Sequence, residues 1–202
     1  MKRKPLECSI FQDLEMAKHY HQQTARWMQS VAKNFVSIAE KWEVTDGKVL
    51  DVGTGPGSLA IGFAEGLPGV QVVGLDLCDA ALELARENAQ ESGASARVSF
   101  EKGNAEDMPF EDDTFDLAIS NNTLHLIEYS VSMFDEIQRV LKPQGRFIVS
   151  DFRRSWLGLL TEHFRASYTP REVKDMLSQS KLQGWTVKDG LLFLSILSEE
   201  QP

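Results

Sequence analysis

The chain has 202 residues, of which 42% are hydrophobic and 25% are charged, as is usual for one soluble globular domain. Its formal net charge of -9 at pH 7 argues against a surface for nucleic acid or anionic membrane. No stretch approaches the roughly 18 apolar residues of a membrane span, and Cys8 and Cys78 are too few for a disulfide scaffold or a zinc cluster. We therefore expect a single cytoplasmic domain over residues 1–202 that binds no nucleic acid and no metal.

Residues 1–45 are predicted to form a helical cap. Between about Phe11 and Trp42, apolar residues recur at three- and four-residue steps, which predicts one or two amphipathic helices: Trp27, Val31, Phe35 and Ile38. We expect most of this stripe to be core. The polar run His19-Tyr20-His21 fits a solvated helix face better, although it could also enter a binding site from the cap.

The stretch 49–58 (Val-Leu-Asp-Val-Gly-Thr-Gly-Pro-Gly-Ser) has the pattern of a strand, a tight glycine loop and a helix start. The strand, at 48–52, follows a turn at Asp46-Gly47, and residues 59–65 can continue as a helix. Glycine suits such a loop because the turn needs backbone angles closed to other residues and because a ligand must approach the main chain. The stretch is the opening of a nucleotide-binding βα unit or, alternatively, an ordinary glycine-rich turn.

Strands and helices alternate through residues 46–152, which we predict to be a cofactor-binding core. Further strands are predicted at 70–76, 96–102, 115–120 and 146–151. The segments between them are predicted to be a helix capped by Asp79 and stopped at Gly93, a polar connection at 106–114, an irregular segment at 121–128 and a helix at 131–141.

Residues 153–202 are predicted to add a helix and a β-hairpin. Thr169-Pro170 starts a helix that runs towards Leu182, and the turn Asp189-Gly190 joins two strands within residues 185–197. Strands separated by helices imply a parallel sheet covered on both faces. The predicted fold is therefore α/β: a Rossmann-like, doubly wound sheet of seven mostly parallel strands, with an antiparallel C-terminal hairpin strand and an N-terminal helical cap.

A doubly wound sheet binds its ligand at the carboxyl ends of its strands. Four segments with functional side chains or glycines fall at those ends in the predicted fold: Gly53–Gly57, Asp76, Asn104 and Ser120–His125. Asp76 closes the second strand a little over twenty residues after Gly53, where a carboxylate can accept both ribose hydroxyls of a nucleoside. A helix-capping or turn role is the alternative for Asp76.

Two adenosine-containing cofactors compete for this loop. A dinucleotide usually requires a glycine at the sixth loop position, where this chain has Ser58, and Pro56 removes one amide donor from the loop. S-adenosyl-L-methionine carries no phosphate but has a carboxylate, an ammonium and a sulfonium. A glycine loop preceded by an acidic residue therefore suits it better than it suits a dinucleotide. Asp51 would orient the loop or reach the ammonium through water; a purely structural role is its alternative.

The run Val49–Gly57 resembles the first motif of the class I S-adenosylmethionine-dependent methyltransferases. Four later segments resemble the motifs of this family in the same order: 74–76 (Gly-Leu-Asp), 103–110 (Gly-Asn-Ala-Glu-Asp-Met-Pro-Phe), 115–118 (Phe-Asp-Leu-Ala) and 140–145 (Val-Leu-Lys-Pro-Gln-Gly). The resemblance covers about residues 48–152 and extends to the subfamily that includes ubiquinone and menaquinone biosynthesis methyltransferases. It implies S-adenosyl-L-methionine as the cofactor and S-adenosyl-L-homocysteine as the product.

The resemblance also implies roles for individual residues. The methionine part of the cofactor would lie along Gly53, Thr54 and Gly55, the ribose would bind Asp76, and the adenine would meet Leu77, Asn104 and the amide of Ala105. At the end of the fourth strand, Ser120 and Asn121 would face the methionine and the reacting methyl. The family often has aspartate at the position of Asn104. We expect weaker discrimination there, because an amide oxygen still accepts a hydrogen bond but lacks the charge.

Methyl transfer is an in-line displacement at a positively charged sulfur, so the protein has to align the acceptor and, where needed, remove its proton. His125 follows the fourth strand and is the predicted base or substrate contact, with a structural or cofactor-packing role as the alternative. His163 and Arg153 could approach from the far side. Three aromatic residues could make the acceptor pocket apolar, although core packing explains them equally well: Trp156, Phe164 and Tyr168.

The sequence favours a small molecule as the methyl acceptor. It lacks the Asn/Asp-Pro-Pro-aromatic sequence of enzymes that methylate nucleobase amines, a Pro-Cys nucleophile, and the several cysteines of arsenite methyltransferases. A protein side chain as the acceptor, a non-catalytic binding or interaction protein of the same fold, and a nicotinamide dehydrogenase are the remaining alternatives.

Overall fold

A computed structural model describes residues 13–155 and 162–199 of the chain. The cap is one long helix, α1 (Leu14–Lys41), and Asp13 caps it, because the Oδ1 atom accepts a hydrogen bond from the Met16 amide at 2.8 Å. The predicted helix start near Phe11 lies outside the described residues, as do Cys8 and Trp156.

Seven strands form one sheet: β1 (Asp46–Val52), β2 (Gly69–Asp76), β3 (Val98–Lys102), β4 (Phe115–Asn121), β5 (Leu141–Phe152), β6 (Trp185–Asp189) and β7 (Phe193–Ser198). Their spatial order is β3-β2-β1-β4-β5-β7-β6. The first five strands are parallel, and β7 lies antiparallel between β5 and β6. The predicted seven-stranded, doubly wound fold with an antiparallel C-terminal strand is therefore confirmed.

Helices cover both faces of the sheet: α2 (Ser58–Gly66), α3 (Asp79–Glu91), α4 (Ser130–Val140), α5 (Glu162–Ala166) and α6 (Pro170–Leu177). Consecutive side chains of a strand point to opposite faces, so Val49 joins the core beneath α1, α2 and α3, whereas Leu50 joins the core beneath α4 and α6. Both residues are fully buried, and each such side chain stabilises the fold by roughly 1.5–3 kcal/mol.

The cap lies close to the sheet layer because α1 and α2 approach each other at a glycine. A Cβ atom added at Gly62 would lie 2.8 Å from the Cβ of Ala32, so only glycine permits this distance between the two helices. Ala32 and Phe35 are buried in this contact, whereas Trp27 and Val31 of the predicted stripe are only partly buried. The N-terminal half of α1 therefore remains at the edge of the core.

Several predicted boundaries differ from the structure. Asp79 is the first residue of α3 and not its cap; Cys78 occupies the cap position, and the Asp79 carboxylate pairs with Lys102 at 2.5 Å instead. The helix that begins after Thr169 ends at Leu177, short of Leu182, because the hydroxyls of Ser178 and Ser180 bond to backbone carbonyls there.

The capping prediction at Thr169 is confirmed. Its hydroxyl accepts a hydrogen bond from the Glu172 amide, and the Glu172 carboxylate accepts from the Thr169 amide at 2.8 Å. The short helix α5 was not predicted, and its five residues are too few to give a periodic signal. No helix in the described residues is long and apolar enough to cross a membrane.

Candidate active site

A cavity of about 450 Å³ opens at the carboxyl edge of the parallel strands. Its floor is the loop after β1 together with the ends of β2 and β4, and its roof is the N-terminal half of α1. Five α1 residues line it at the spacing i, i+3, i+4, i+7 and i+8: Tyr20, Gln23, Thr24, Trp27 and Met28. These five side chains share one helix face, so α1 contributes a continuous strip to the cavity.

The glycine loop turns sharply at three residues with positive φ: Gly53 at 73°, Gly55 at 53° and Gly57 at 79°. The amides of Gly53 and Thr54 both donate to the Leu75 carbonyl, at 2.8 and 3.0 Å, which fixes the loop to the end of β2. A Cβ atom at Gly53 would collide with the side chain of Thr123. The loop therefore needs glycine both for its backbone angle and for its close approach to the β4 loop.

Asp51, near the end of β1, is hydrogen-bonded to the same loop. Its side chain is 1% exposed, and its Oδ2 atom accepts a hydrogen bond from the Thr54 hydroxyl at 2.7 Å. Burial raises the pKa of Asp51 to about 7, with a further contribution from the charge of Asp76, while the Thr54 hydrogen bond lowers it. Because Asp51 also lines the cavity, a cation bound there would favour its ionised form.

Asp76 ends β2 with both carboxylate oxygens hydrogen-bonded to backbone amides. Oδ2 accepts from Gly55 at 2.8 Å and Oδ1 from Cys78 at 2.9 Å. Burial raises the pKa of Asp76, and these amide bonds lower it. Each oxygen keeps a further lone pair, so the carboxylate can still accept hydroxyl groups from a ligand. The neighbouring Leu77 is 50% exposed, an unusual exposure for a leucine beside a cavity.

The end of β3 supplies Asn104 and Ala105, which line the cavity beside Leu77. The Oδ1 atom of Asn104 accepts a hydrogen bond from the Glu106 amide at 3.0 Å, and the side chain is otherwise exposed. This bond orients the amide group of Asn104. Its second Oδ1 lone pair and its amino group remain able to contact a ligand.

Ser120 and Asn121 lie on opposite faces of β4, which corrects the prediction that both face the methyl group. Ser120 is buried and donates to the Val52 carbonyl at 2.8 Å, and it does not line the cavity. Asn121 does line the cavity, and its Nδ2 atom lies 3.6 Å from the sulfur of Met28 in α1. The two residues differ because consecutive side chains of a strand point to opposite faces of the sheet.

Asn122, the next residue, lies in the segment Ser120–His125 that was predicted to reach the ligand-binding edge, but no individual role was predicted for it. Its backbone adopts a positive φ of 57°, and its amide donates to the Ser150 carbonyl at 2.9 Å. It lines the cavity, and its Oδ1 atom is buried with no hydrogen-bond partner among the described residues. A buried acceptor of this kind is costly, so the cavity offers it to a ligand that carries an N–H or O–H donor.

His125 lies at the opposite end of the cavity from Asp76 and Leu77, in a 3-10 turn (Leu124–Leu126) after β4. It is 1% exposed, and its Nδ1 atom is 2.7 Å from Oδ1 of Asp151 at the end of β5. Its Nε2 atom is 3.1 Å from Nδ1 of His163 in α5. The predicted residue is thus the middle of three polar side chains, and His163 is the more exposed end.

Aromatic rings line the cavity near His125. The ring centroids of Trp27 and Phe193 are 5.7 Å apart, and those of Phe152 and Phe193 are 5.1 Å apart. Tyr20 also lines the cavity, and burial together with the charge of Asp151 raises its pKa. Trp27 was predicted to be core, and the i, i+3, i+4, i+7 spacing from Tyr20 was the signal that could have placed it in the site.

The other residues predicted to form an acceptor pocket lie elsewhere. Arg153 pairs with Asp189 of β6 at 2.5 Å. Tyr168 is buried, with its hydroxyl 2.9 Å from that of Ser130, and it does not line the cavity. Phe164 lies behind Phe152, with the ring centroids 5.0 Å apart. The pocket walls are therefore α1, the β4 loop, β5, α5 and β7.

A family model described as "Methyltransferase domain" matches residues 43–190, which is most of the chain. The chain belongs to the class I S-adenosylmethionine-dependent methyltransferases. Its sequence is 34% identical over 107 residues to the ubiquinone/menaquinone biosynthesis C-methyltransferase of Geobacter sp. (strain M21), covering 52% of this chain and 46% of the relative. It is also 34% identical over 140 residues to the 2-phytyl-1,4-naphtoquinone methyltransferase of Synechococcus elongatus, and this match covers 67% of this chain and 59% of the relative.

Among solved structures, this methyltransferase resembles a protein from Methanococcus maripaludis that was solved as a candidate S-adenosyl-L-methionine-dependent methyltransferase. The two have a TM-score of 0.77 and 21% identity, and the match covers 94% of each chain. At this identity the likeness shows the fold alone. The chain spans about half the length of the curated relatives that it matches.

The methyltransferase site brings together most of the residues that the sequence singled out. Ten of them line the cavity: Asp51, Gly53, Thr54, Gly55, Asp76, Leu77, Asn104, Ala105, Asn121 and His125. Their individual roles towards the cofactor stay predictions. Of the residues predicted to bind the cofactor or to act as the base, only Ser120 does not line the cavity, and the residues that the sequence did not predict are concentrated near His125.

Proposed function

We propose that this protein transfers a methyl group from S-adenosyl-L-methionine to a small-molecule acceptor. The observation that carries the proposal is the continuity of one cavity, which reaches from Asp76 and Leu77 at the carboxyl end of β2 to His125 and Phe152 beyond β4. A bound cofactor and an acceptor can therefore meet inside one cavity. Its volume of about 450 Å³ lies in the range of small-molecule sites.

The polar atoms of the cavity fit the cofactor. Asp76 would accept the ribose hydroxyls, and the exposed side chain of Leu77 would pack on the adenine. The buried Oδ1 atom of Asn122, which has no hydrogen-bond partner in the described part of the chain, suits an ammonium donor. The buried carboxyl of Asp51 would be ionised next to positive charge. Gly53 to Gly55 would lie along the methionine chain, as the family resemblance implies.

The cofactor supplies a methyl group on a positively charged sulfur, which is already activated for displacement. The protein therefore has to position the acceptor in line and, if the acceptor bears a proton, to remove it. Trp27, Phe152 and Phe193 would hold a flat apolar acceptor, while His125 and its polar partners would orient the reacting group. One relative is named as a C-methyltransferase of ubiquinone and menaquinone biosynthesis and another as a 2-phytyl-1,4-naphtoquinone methyltransferase, which supports an acceptor of this general kind.

The proposal is tested by calorimetric titration of the full chain with S-adenosyl-L-methionine, S-adenosyl-L-homocysteine and NAD. We expect binding of the first two and none of the third, followed by release of S-adenosyl-L-homocysteine when acceptors are added. Binding of NAD alone would favour the dehydrogenase alternative and refute the proposal. Binding of S-adenosyl-L-methionine without turnover of any acceptor would favour the non-catalytic alternative.

A further inference from the structure

Three polar side chains from three separate elements meet at the aromatic end of the cavity. Asp151 ends β5, His125 lies in the 3-10 turn after β4, and His163 lies in α5. The Asp151 Oδ1 to His125 Nδ1 distance is 2.7 Å, and the His125 Nε2 to His163 Nδ1 distance is 3.1 Å. Because these residues are 26 and 38 positions apart in sequence, only the tertiary fold brings them together.

The donors and acceptors of this chain of side chains have one consistent arrangement when Asp151 is ionised and both rings are neutral. Asp151 is 2% exposed and accepts from the amides of His125 and Phe152 as well as from the His125 ring. An ionised carboxylate only accepts, so the proton of His125 is on Nδ1 and its Nε2 atom accepts. His163 then donates from Nδ1, and its own lone pair is on Nε2.

Of the three hydrogen-bonded side chains, His163 is the one that a substrate can reach. It is partly exposed, whereas His125, which lines the same cavity, is only 1% exposed. Among residues 13–155 and 162–199, no hydrogen-bond partner is found for the Nε2 atom of His163. Burial and the neighbouring His125 lower the pKa of His163, while the charges of Asp151 and Glu162 raise it. The ring is therefore neutral near pH 7, as a proton acceptor has to be.

We propose that His163 is the general base of this methyltransferase, that His125 and Asp151 position it, and that the acceptor is an aromatic compound with an ionisable hydroxyl. The proposal rests on the proposed methyl transfer. In the step, the bond from sulfur to the methyl carbon breaks and a bond from the acceptor oxygen to that carbon forms. The hydroxyl proton moves to Nε2 of His163, so the positive charge of the sulfonium ends on the imidazole.

The surroundings of His163 determine the class of acceptor. Its ring lies beside that of Phe152, with centroids 6.0 Å apart, and Phe152 packs on Phe193. A flat ring can therefore lie on these side chains with its hydroxyl directed at His163. The imidazolium that forms is stabilised through His125 by the buried charge of Asp151. An acceptor whose methylated atom has no ionisable proton would make no use of this arrangement.

The test compares wild type, His163→Gln and His163→Ala with a series of substituted phenols as acceptors, measured by release of S-adenosyl-L-homocysteine. A glutamine side chain can still donate to Nε2 of His125, but it offers no basic lone pair. With phenols that are un-ionised at the assay pH, we expect turnover to fall about 100-fold or more in both variants, since general bases contribute 10²–10⁴-fold. With nitrophenols that are already ionised, we expect a change of only a few-fold.

Three controls make the result specific to the base. Asp175→Asn changes an exposed side chain of α6 outside the cavity and should leave turnover unchanged. Calorimetry should show the same affinity for S-adenosyl-L-methionine in wild type and both His163 variants. Added imidazole should restore part of the turnover of His163→Ala with un-ionised phenols.

The positioning role of Asp151 has its own readout in the pH dependence of turnover. The charge of Asp151 raises the pKa of His163, so Asp151→Asn should lower it and move the acid limb of the profile to lower pH. The other titratable neighbours are His125, Glu162 and, next to Asp151, Tyr20 of α1; they are unchanged in this variant. A role of Asp151 in folding alone would leave the position of the limb unchanged.

Other outcomes overturn the inference in distinguishable ways. Equal losses for ionised and un-ionised phenols would show that His163 does not take the proton. A wild-type protein that binds S-adenosyl-L-methionine but methylates none of the phenols would refute the acceptor class while leaving the cofactor assignment in place. A wild-type protein that does not bind S-adenosyl-L-methionine would refute the proposed function, and the inference with it.

Discussion

Replacement of Asp51 by asparagine is expected to stabilise the ligand-free protein at neutral pH, and by an amount that grows as the pH rises. Asp51 is 1% exposed, and burial raises its pKa from 3.8 to about 7. The variant removes the buried charge and keeps the shape of the side chain. It also keeps the hydrogen bond from the Thr54 hydroxyl, because the amide oxygen of asparagine can accept it.

The magnitude follows from the number of protons bound. Between pH 3.8 and about 7, folded Asp51 holds a proton that the unfolded chain has released, so stability falls as the pH rises. The loss is about 1.4 kcal/mol per pH unit. From pH 5.5 to above 7 the wild type loses roughly 2 kcal/mol that the variant retains. In a protein of this size that difference corresponds to about 4–8 °C in Tm.

The assay is thermal and urea unfolding of wild type and Asp51→Asn at pH 5.5, 6.5 and 8, without cofactor. Burial lowers the pKa of His21 and His163, so both add a rise in stability with pH below about 6.5. Both are present in each protein, and their contribution cancels in the difference. Asp175→Asn, on the exposed side of α6, is the matched control. A difference in stability that stays constant from pH 5.5 to 8 would refute the assignment of a buried, proton-binding Asp51.

Three further substitutions test the remaining parts of the site. Asp76→Ala should weaken S-adenosyl-L-methionine binding at least tenfold by calorimetry, and Asp79→Ala, which changes an exposed neighbour, should not. His125→Ala should reduce turnover far more than cofactor affinity; unchanged turnover would remove it from the reaction. Gly53→Ala should cost about 1–3 kcal/mol or more in urea unfolding because of its φ of 73° and the collision with Thr123. Gly93→Ala, at a φ of 74° but with open space around it, should cost less.

The sequence was sufficient for the sheet and for the half of the cavity where the cofactor is proposed to bind. Each loop of that half directly follows its own strand, so a local pattern places Gly53, Asp76 and Asn104 at one edge as soon as the strands are parallel. The ends of the strands were harder to predict. For example, β3 begins at Val98 and not at residue 96, because the Arg97 amide donates to the Ala94 carbonyl and closes a turn there. The predicted cytoplasmic location and lack of nucleic-acid binding stay predictions.

The misplacement of Ser120 has a physical cause that applies to every central parallel strand. Both faces of β4 are buried, so three apolar residues follow one another in the middle of the strand without polar residues between them: Leu117, Ala118 and Ile119. Without alternation the sequence does not show which face a residue occupies. The polar residues at the strand end then look equivalent, although consecutive side chains must point in opposite directions.

The half of the cavity where the acceptor is proposed to bind depends on strand order, which local sequence patterns do not reveal. A hairpin sequence does not indicate which of its two strands joins the sheet. In the structure β7 inserts between β5 and β6, which pairs Phe193 with Phe152 and brings both rings to the cavity. Had β6 paired with β5, Phe193 would lie away from Phe152. The position of β7 therefore creates the space in which a flat ring can lie beside His163. A sequence change in the hairpin should alter acceptor preference without altering cofactor binding.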